Sequence, residues 1–200
     1  GFDPVQFQHP KGVRAEMRKK FDIAPDEVVV AHAGYFLPVK AHETMIRAWK
    51  ILADKGPTPR LFFFGDGELK SHCLRLTKKF GLSDRIVFHE VVSEFEKALS
   101  AFDIFLLPSL FEGMSRALVE AGLSGLALVA TPVGGHPELY TDNENILFVE
   151  PENPEMLADA VGRVFLDPLL RETLGSNARK MLSAKLDIQK TVDTLENIYI

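Results

Sequence analysis

Two stretches of this chain carry residue types suited to holding phosphates and sugars. The first is Gly34-Tyr35-Phe36-Leu37-Pro38-Val39-Lys40. A glycine just past an apolar run lets backbone or ligand approach closely. A lysine directly ahead of a helical pattern opposes the helix dipole, which makes sense when an anion is held there. A plain surface lysine fits the same position. The second stretch runs from Pro108 to Glu120 and contains Glu112-Gly113-Met114-Ser115-Arg116. Ser115 is suited to cap a helix. Gly113 and Met114 would then present backbone N–H groups at its start, a natural phosphate site. Were the whole stretch helical, Glu112 and Glu120 would lie about 12 Å apart. A nucleoside-diphosphate sugar could span that distance, with ribose on one carboxylate, sugar on the other and the diphosphate between. A capping residue and a surface glutamate account for the two acids equally well.

These stretches need elements to position them. Short apolar runs recur at Val28–Ala31, Leu61–Phe64, Ile86–Phe88, Ile104–Leu107, Leu126–Ala130 and Ile146–Val149. They lack polar alternation, which marks strands buried on both faces of a parallel sheet. Helical patterns separate them. Met45, Ile46, Trp49, Leu52 and Ala53 form one stripe, and Leu69, Cys73, Leu76 and Phe80 another. Asn153 reads as an N-cap with Pro154 at the first helical position, and Leu157, Ala160, Val161, Val164 and Phe165 follow as the buried face. A break is expected near Asp167-Pro168. The expected architecture is α/β, a doubly wound, six-stranded parallel sheet of Rossmann-like type. Right-handed crossovers favour that topology. In its commonest strand order the first and fourth strands are neighbours where the order reverses, and ligands sit there beyond the strands' carboxyl ends. The two stretches are the loops that follow those two strands. The basic residues Lys11, Arg14, Arg18, Lys19 and Lys20 read as the solvated face of a helix.

Composition bounds the alternatives. The 200 residues fit one domain, and the 46% hydrophobic share argues against disorder. A net charge of −5 disfavours a protein that wraps nucleic acid. The single cysteine, Cys73, excludes an internal disulfide and fits a reducing compartment, so a cytoplasmic location is expected. No apolar run is long enough to span a membrane, and no signal peptide is visible. His-x-x-x-His spacing is absent, which argues against a zinc site. The Gly1-Phe2-Asp3-Pro4 opening reads like the start of an excised piece. Ser109 has no adjacent base and no nucleophile-elbow sequence, so it does not read as a nucleophile. Gly134-Gly135 falls after the fifth strand, at the ligand edge.

Together these residues carry a resemblance. Glu112-Gly113-Met114-Ser115, Leu118-Val119-Glu120-Ala121, Leu128 to Gly135 and Pro137-Glu138 resemble the C-terminal half of family 4 (group 1) glycosyltransferases. Gly1…Asp3…Phe7, Gly34…Lys40, Gly65-Asp66-Gly67 and Asn143-Glu144-Asn145 agree in order, so the resemblance covers essentially the whole chain. It implies a retaining enzyme of GT-B type that needs no metal ion or other cofactor. Residues 1–200 would be the nucleotide-sugar-binding half, and the acceptor-binding N-terminal domain would be a partner absent from this chain. Membrane contact, if any, would come through that half, at the inner face of the membrane. By this resemblance Glu120 would hold the ribose and Glu112 the donor sugar. The backbone of Gly113, Met114 and Ser115 would bind the sugar or its phosphates, Lys40 the diphosphate, and Val92 with its neighbours the base.

Three departures stand out. An arginine usually follows the loop glycine, and here Tyr35 does. The glycine usual after the lysine is Ala41. The proline usual after Glu-Gly-x is Ser115. With Tyr35 uncharged, Arg116 is the candidate for a second cation at the diphosphate, while an arginine that points to solvent or pairs with a nearby acid fits the same position. The isolated chain is expected to bind donor yet transfer nothing. A dinucleotide-dependent oxidoreductase would need Gly-x-Gly-x-x-Gly after the first strand, and Ala31-His32-Ala33-Gly34-Tyr35-Phe36 lacks it. A non-catalytic nucleotide-sugar-binding or assembly domain stays as the alternative, mildly favoured by Tyr35.

Overall fold

Strands that are apolar on both faces require a helical layer on each side, and that is the arrangement in the computed structural model, which describes residues 3–7, 10 and 12–186. The strands are β1 (Val29–Ala33), β2 (Arg60–Phe64), β3 (Ile86–His89), β4 (Ile104–Leu107), β5 (Ala127–Ala130) and β6 (Leu147–Phe148). The helices are α1 (Val13–Lys20), α2 (His42–Lys55), α3 (Lys70–Lys79), α4 (Phe95–Leu99), α5 (Arg116–Leu123), α6 (His136–Leu139), α7 (Pro154–Leu166) and α8 (Pro168–Lys185). The sheet is parallel throughout, in the order β3-β2-β1-β4-β5-β6. The order reverses between β1 and β4, as expected from the sequence.

Successive strand residues feed two separate cores. Val29, Ala31, Phe62, Phe64, Phe105 and Leu107 pack under α1, α4, α5 and the end of α8. Val30, Leu61, Phe63, Ile104 and Leu106 pack under α2, α3 and α7. The Phe62-Phe63-Phe64 run is therefore sheet core shared between both sides. On α2 the buried stripe is Met45, Ile46, Ala48, Trp49 and Leu52, while Ala53 turns outward. Asn153 caps α7 through Met156 N at 2.9 Å, and Asp167 caps α8 through Leu170 N at 3.0 Å. That second cap explains the helix break at Asp167-Pro168.

The basic helix is not simply a solvated face. Arg18 is 4% exposed and donates to the carbonyls of Ala24 and Ala101 at 3.0 and 2.9 Å. Arg14 pairs with Asp103 at 2.6 Å, and Asp103 also accepts from Val29 N at 2.9 Å. These two arginines clamp α1 to the amino-terminal edge of the sheet. Gly1, Phe2 and Lys11 lie outside the described residues.

Ala41 marks a local strain. It ends the 3-10 turn Pro38–Lys40 with φ 53° and ψ 37°, in the left-handed region. A Cβ costs about 1–2 kcal/mol there, and glycine avoids the cost but gives back some of it as chain entropy in the unfolded state. Ala41→Gly should therefore raise the thermal midpoint by about 1–4 °C. A lower midpoint would mean that the buried Ala41 methyl contributes more packing than its backbone costs.

Candidate functional site

The pairing of β1 with β4 brings the two chemistry-bearing loops to one edge. Leu110 N donates to Val39 O at 2.8 Å and ties them directly. The Gly65-Asp66-Gly67 turn supports the first loop from the β2 side, with Phe36 N donating to Asp66 O at 2.8 Å. A Cβ on Gly65 would stand 2.2 Å from Gly34 O, so this approach depends on a bare glycine at φ 152°.

Lys40 and Glu112 meet at the centre. Lys40 Nζ donates to Glu112 Oε1 at 2.6 Å, with the side chains 21% and 11% exposed. Ser109 Oγ donates to the same oxygen at 2.7 Å from a fully buried position. Behind it, Thr131 Oγ1 donates to Ser109 O at 2.5 Å, and the His136 imidazole Nδ1 donates to Thr131 O at 2.9 Å. From the β5 side, Gly135 N donates to Gly113 O at 3.0 Å. Gly134 sits at φ 55°, and a Cβ there would lie 1.9 Å from Glu112 O. The Glu112 loop is thus fixed by a side-chain donor at Ser109 and by contact with the bare Gly134 backbone.

Beneath the loop, buried His32 donates from Nδ1 to Leu106 O at 2.9 Å. Burial pushes its imidazole down to about 4, so it is neutral near pH 7. Its Nε2 would lie 3.3 Å from a Cβ on Gly34, and the Lys40 stem reaches the same point at 3.5 Å. Gly34 thus lets the imidazole and the lysine stem share that space.

Ser115 caps α5 as expected, its Oγ accepting from Leu118 N at 3.4 Å. The helix begins at Arg116, so Glu112 lies in the preceding loop and the two acids do not share a helix. Glu120 faces a separate part of the edge, 18% exposed, and accepts from Arg116 at 3.3 Å. Burial pushes its carboxyl above the usual range, against the pull of Arg116. The 82% exposed Arg116 therefore stands beside the ribose candidate in the ligand-free chain. Glu120 and Arg116 line a cleft of about 470 Å³ with Tyr35, Gly65, Val92 and Phe95. Its size suits a small ligand. Tyr35 is 65% exposed at its rim.

Every candidate residue therefore lies along the carboxyl edge, in two groups. Lys40, Glu112, Gly34 and the start of α5 form a polar centre. Tyr35, Val92, Arg116 and Glu120 form the adjoining cleft. Larger concavities lie at the opposite, amino-terminal edge, around Arg14, Asp103 and Arg171 and around Arg18, Glu27 and Arg60. Sequence reasoning missed the supporting side chains His32, Thr131 and His136, and it weighed Ser109 only as a nucleophile. The three-residue spacing from Ser109 to Glu112, within one turn of chain, was the available signal for Ser109. Among the described residues no three His, Cys, Asp or Glu side chains form a metal-holding group. No helix of the described residues is long and apolar enough to cross a membrane.

Comparison with known proteins bears on the family and the fold. Residues 13–181 match the family model described as "Glycosyl transferases group 1". The alpha-D-kanosaminyltransferase of Streptomyces kanamyceticus is 30% identical over 188 residues, covering 93% of this chain and 48% of that protein. A D-inositol 3-phosphate glycosyltransferase of Streptomyces griseus is 30% identical over 189 residues, covering 89% of this chain and 40% of its own length. The chain thus spans about half the length of the curated relatives it matches. The crystal structure of Anabaena HepE in complex with UDP superposes with a TM-score of 0.88 at 25% identity, over 98% of this chain and 56% of that one. The crystallised C-terminal domain of a group 1 glycosyl transferase from Francisella tularensis matches over 94% of this chain and 100% of its own, with a TM-score of 0.83 at 24% identity.

Proposed function

Because the chain belongs to the group 1 glycosyl transferases, we propose that it is the donor-binding half of a retaining GT-B enzyme that moves a sugar from a nucleoside-diphosphate sugar to an acceptor. The observation that carries this reading is the convergence of Lys40, Glu112 and the start of α5 at the strand-order reversal, beside the cleft that ends at Glu120. The complexes of HepE with UDP and with UDP-glucose support the same ligand class.

In this reading the diphosphate lies over Gly34 and the N-terminus of α5, where backbone N–H groups and the helix dipole favour negative charge. Lys40 supplies the ammonium. The base enters the cleft between Tyr35, Val92 and Phe95. The ribose diol donates to Glu120, a carboxylate that burial disfavours and two hydroxyl donors would satisfy. The donor sugar reaches Glu112, which Ser109 holds in place. As the glycosidic bond to the diphosphate breaks, negative charge grows on the leaving phosphate oxygens. Lys40 and the oriented backbone dipoles stabilise that charge where it develops. The family resemblance supports retention at the anomeric carbon, a metal-independent reaction and acceptor groups supplied from outside these 200 residues, so the chain alone should transfer nothing. Cys73, the single cysteine of the chain and buried, fits a reducing cytoplasm.

Tyr35 favours a second reading, a non-catalytic nucleotide-sugar-binding domain, because the phenol brings no charge to the leaving group. Both readings require donor binding. Uridine, guanosine and adenosine diphosphates, compared with NAD in a thermal-shift panel, test it. One nucleoside diphosphate at 100 times its dissociation constant should add about 2.7 kcal/mol of stability. A shift with NAD and none with any nucleoside diphosphate would reject the proposal.

A further inference from the structure

The 2.6 Å contact between Lys40 and Glu112 has a consequence for which ligand the site keeps. A partly buried ammonium and carboxylate satisfy each other, and separating them takes the charged partner from each. A diphosphate that draws Lys40 out of this contact competes with Glu112 for the ammonium. An intact nucleotide-sugar offers an exchange, since its sugar hydroxyls can donate to the carboxylate that Lys40 leaves. A bare nucleoside diphosphate has no sugar to offer, and Glu112 stays with Ser109 as its one remaining side-chain donor on that oxygen.

We propose that Glu112 is a specificity-determining residue that discriminates donor from product: it is the internal anion that reclaims Lys40 once the sugar has gone and so weakens the hold on the nucleoside diphosphate. This deepens the proposed function and rests on it. Ser109 is the positioning residue, because it fixes the carboxylate oxygen that both Lys40 and the sugar use.

The discriminating variant is Glu112→Gln, which keeps the shape and an acceptor for Ser109 while removing the charge that holds Lys40. Calorimetry on the chain would compare UDP, GDP and ADP with the corresponding nucleoside-diphosphate glucoses, for wild type and variant. For the nucleotide that binds the wild type, Glu112→Gln should tighten the bare diphosphate about tenfold and weaken the glucose conjugate, collapsing the wild-type preference. Ser109→Ala is the second variant. It should weaken the conjugate severalfold and leave the bare diphosphate within about twofold. If Glu112→Gln leaves the diphosphate affinity unchanged or lowers it, while its thermal midpoint stays at the wild-type value, the discriminator role is overturned. If no diphosphate or conjugate binds the wild type, the donor-binding reading itself falls and this inference with it.

Discussion

Replacing Lys40 by methionine is expected to weaken binding of an intact nucleotide-sugar by roughly 10–150-fold. The substitution keeps the aliphatic stem that packs over Gly34 and removes the ammonium. A lost charge-assisted hydrogen bond costs about 1.5–3 kcal/mol, which gives that range. The ligand-free protein should suffer as well, because the 11% exposed Glu112 carboxylate would lose its counter-ion. The pair is only partly buried, so the stability cost should fall below the 3–5 kcal/mol of a fully buried ion pair, at about 1–3 kcal/mol. The double variant Lys40→Met/Glu112→Gln separates the two effects. It should recover most of the stability and none of the donor affinity. Wild-type affinity in a well-folded Lys40→Met chain would remove Lys40 from the site.

Gly134→Ala should damage the same site from behind. Its backbone sits at φ 55°, where a Cβ costs about 1–2 kcal/mol by itself. The new methyl would also meet the carbonyl oxygen of Glu112 at 1.9 Å, so the Glu112 loop must move. We expect a loss of about 3 kcal/mol or more, seen as a fall of roughly 6–12 °C in the thermal midpoint. Donor affinity should fall with it, since the shift carries Glu112 away from Ser109 and Lys40. A variant with an unchanged midpoint and unchanged donor affinity would show that the loop is not held from the β5 side.

The contrast between these positions explains what could be read from the sequence. Strand order followed from apolar runs such as Ile104–Leu107, because a parallel sheet leaves few topologies once its strands are counted. The placement of Lys40 and Glu112 at one edge followed from that order alone. The Ser115 and Asn153 caps were legible because their bonds are local, three residues along the chain. The Lys40–Glu112 contact spans 72 residues, and spacing along the chain does not encode it. Nor did spacing reveal that His32 would lie under Gly34, or that Thr131 would buttress Ser109, since these contacts form only after the strands have aligned. The basic pattern before β1 was misread for a related reason. Arg18 looks like one solvated cation among several, and only the folded chain brings up the carbonyl of Ala101, 83 residues away, that helps bury it.

The central claim is that the nucleotide binds at the carboxyl edge between β1 and β4. Amide shifts of the isotopically labelled chain, recorded during titration with the nucleoside diphosphate that stabilises it most, test this directly. The account predicts that the largest perturbations fall on Gly34, Tyr35, Val92, Gly113, Met114, Ser115 and Glu120. Perturbations centred instead on Arg14, Arg18 and Arg60, at the amino-terminal edge where the larger concavities lie, would contradict it.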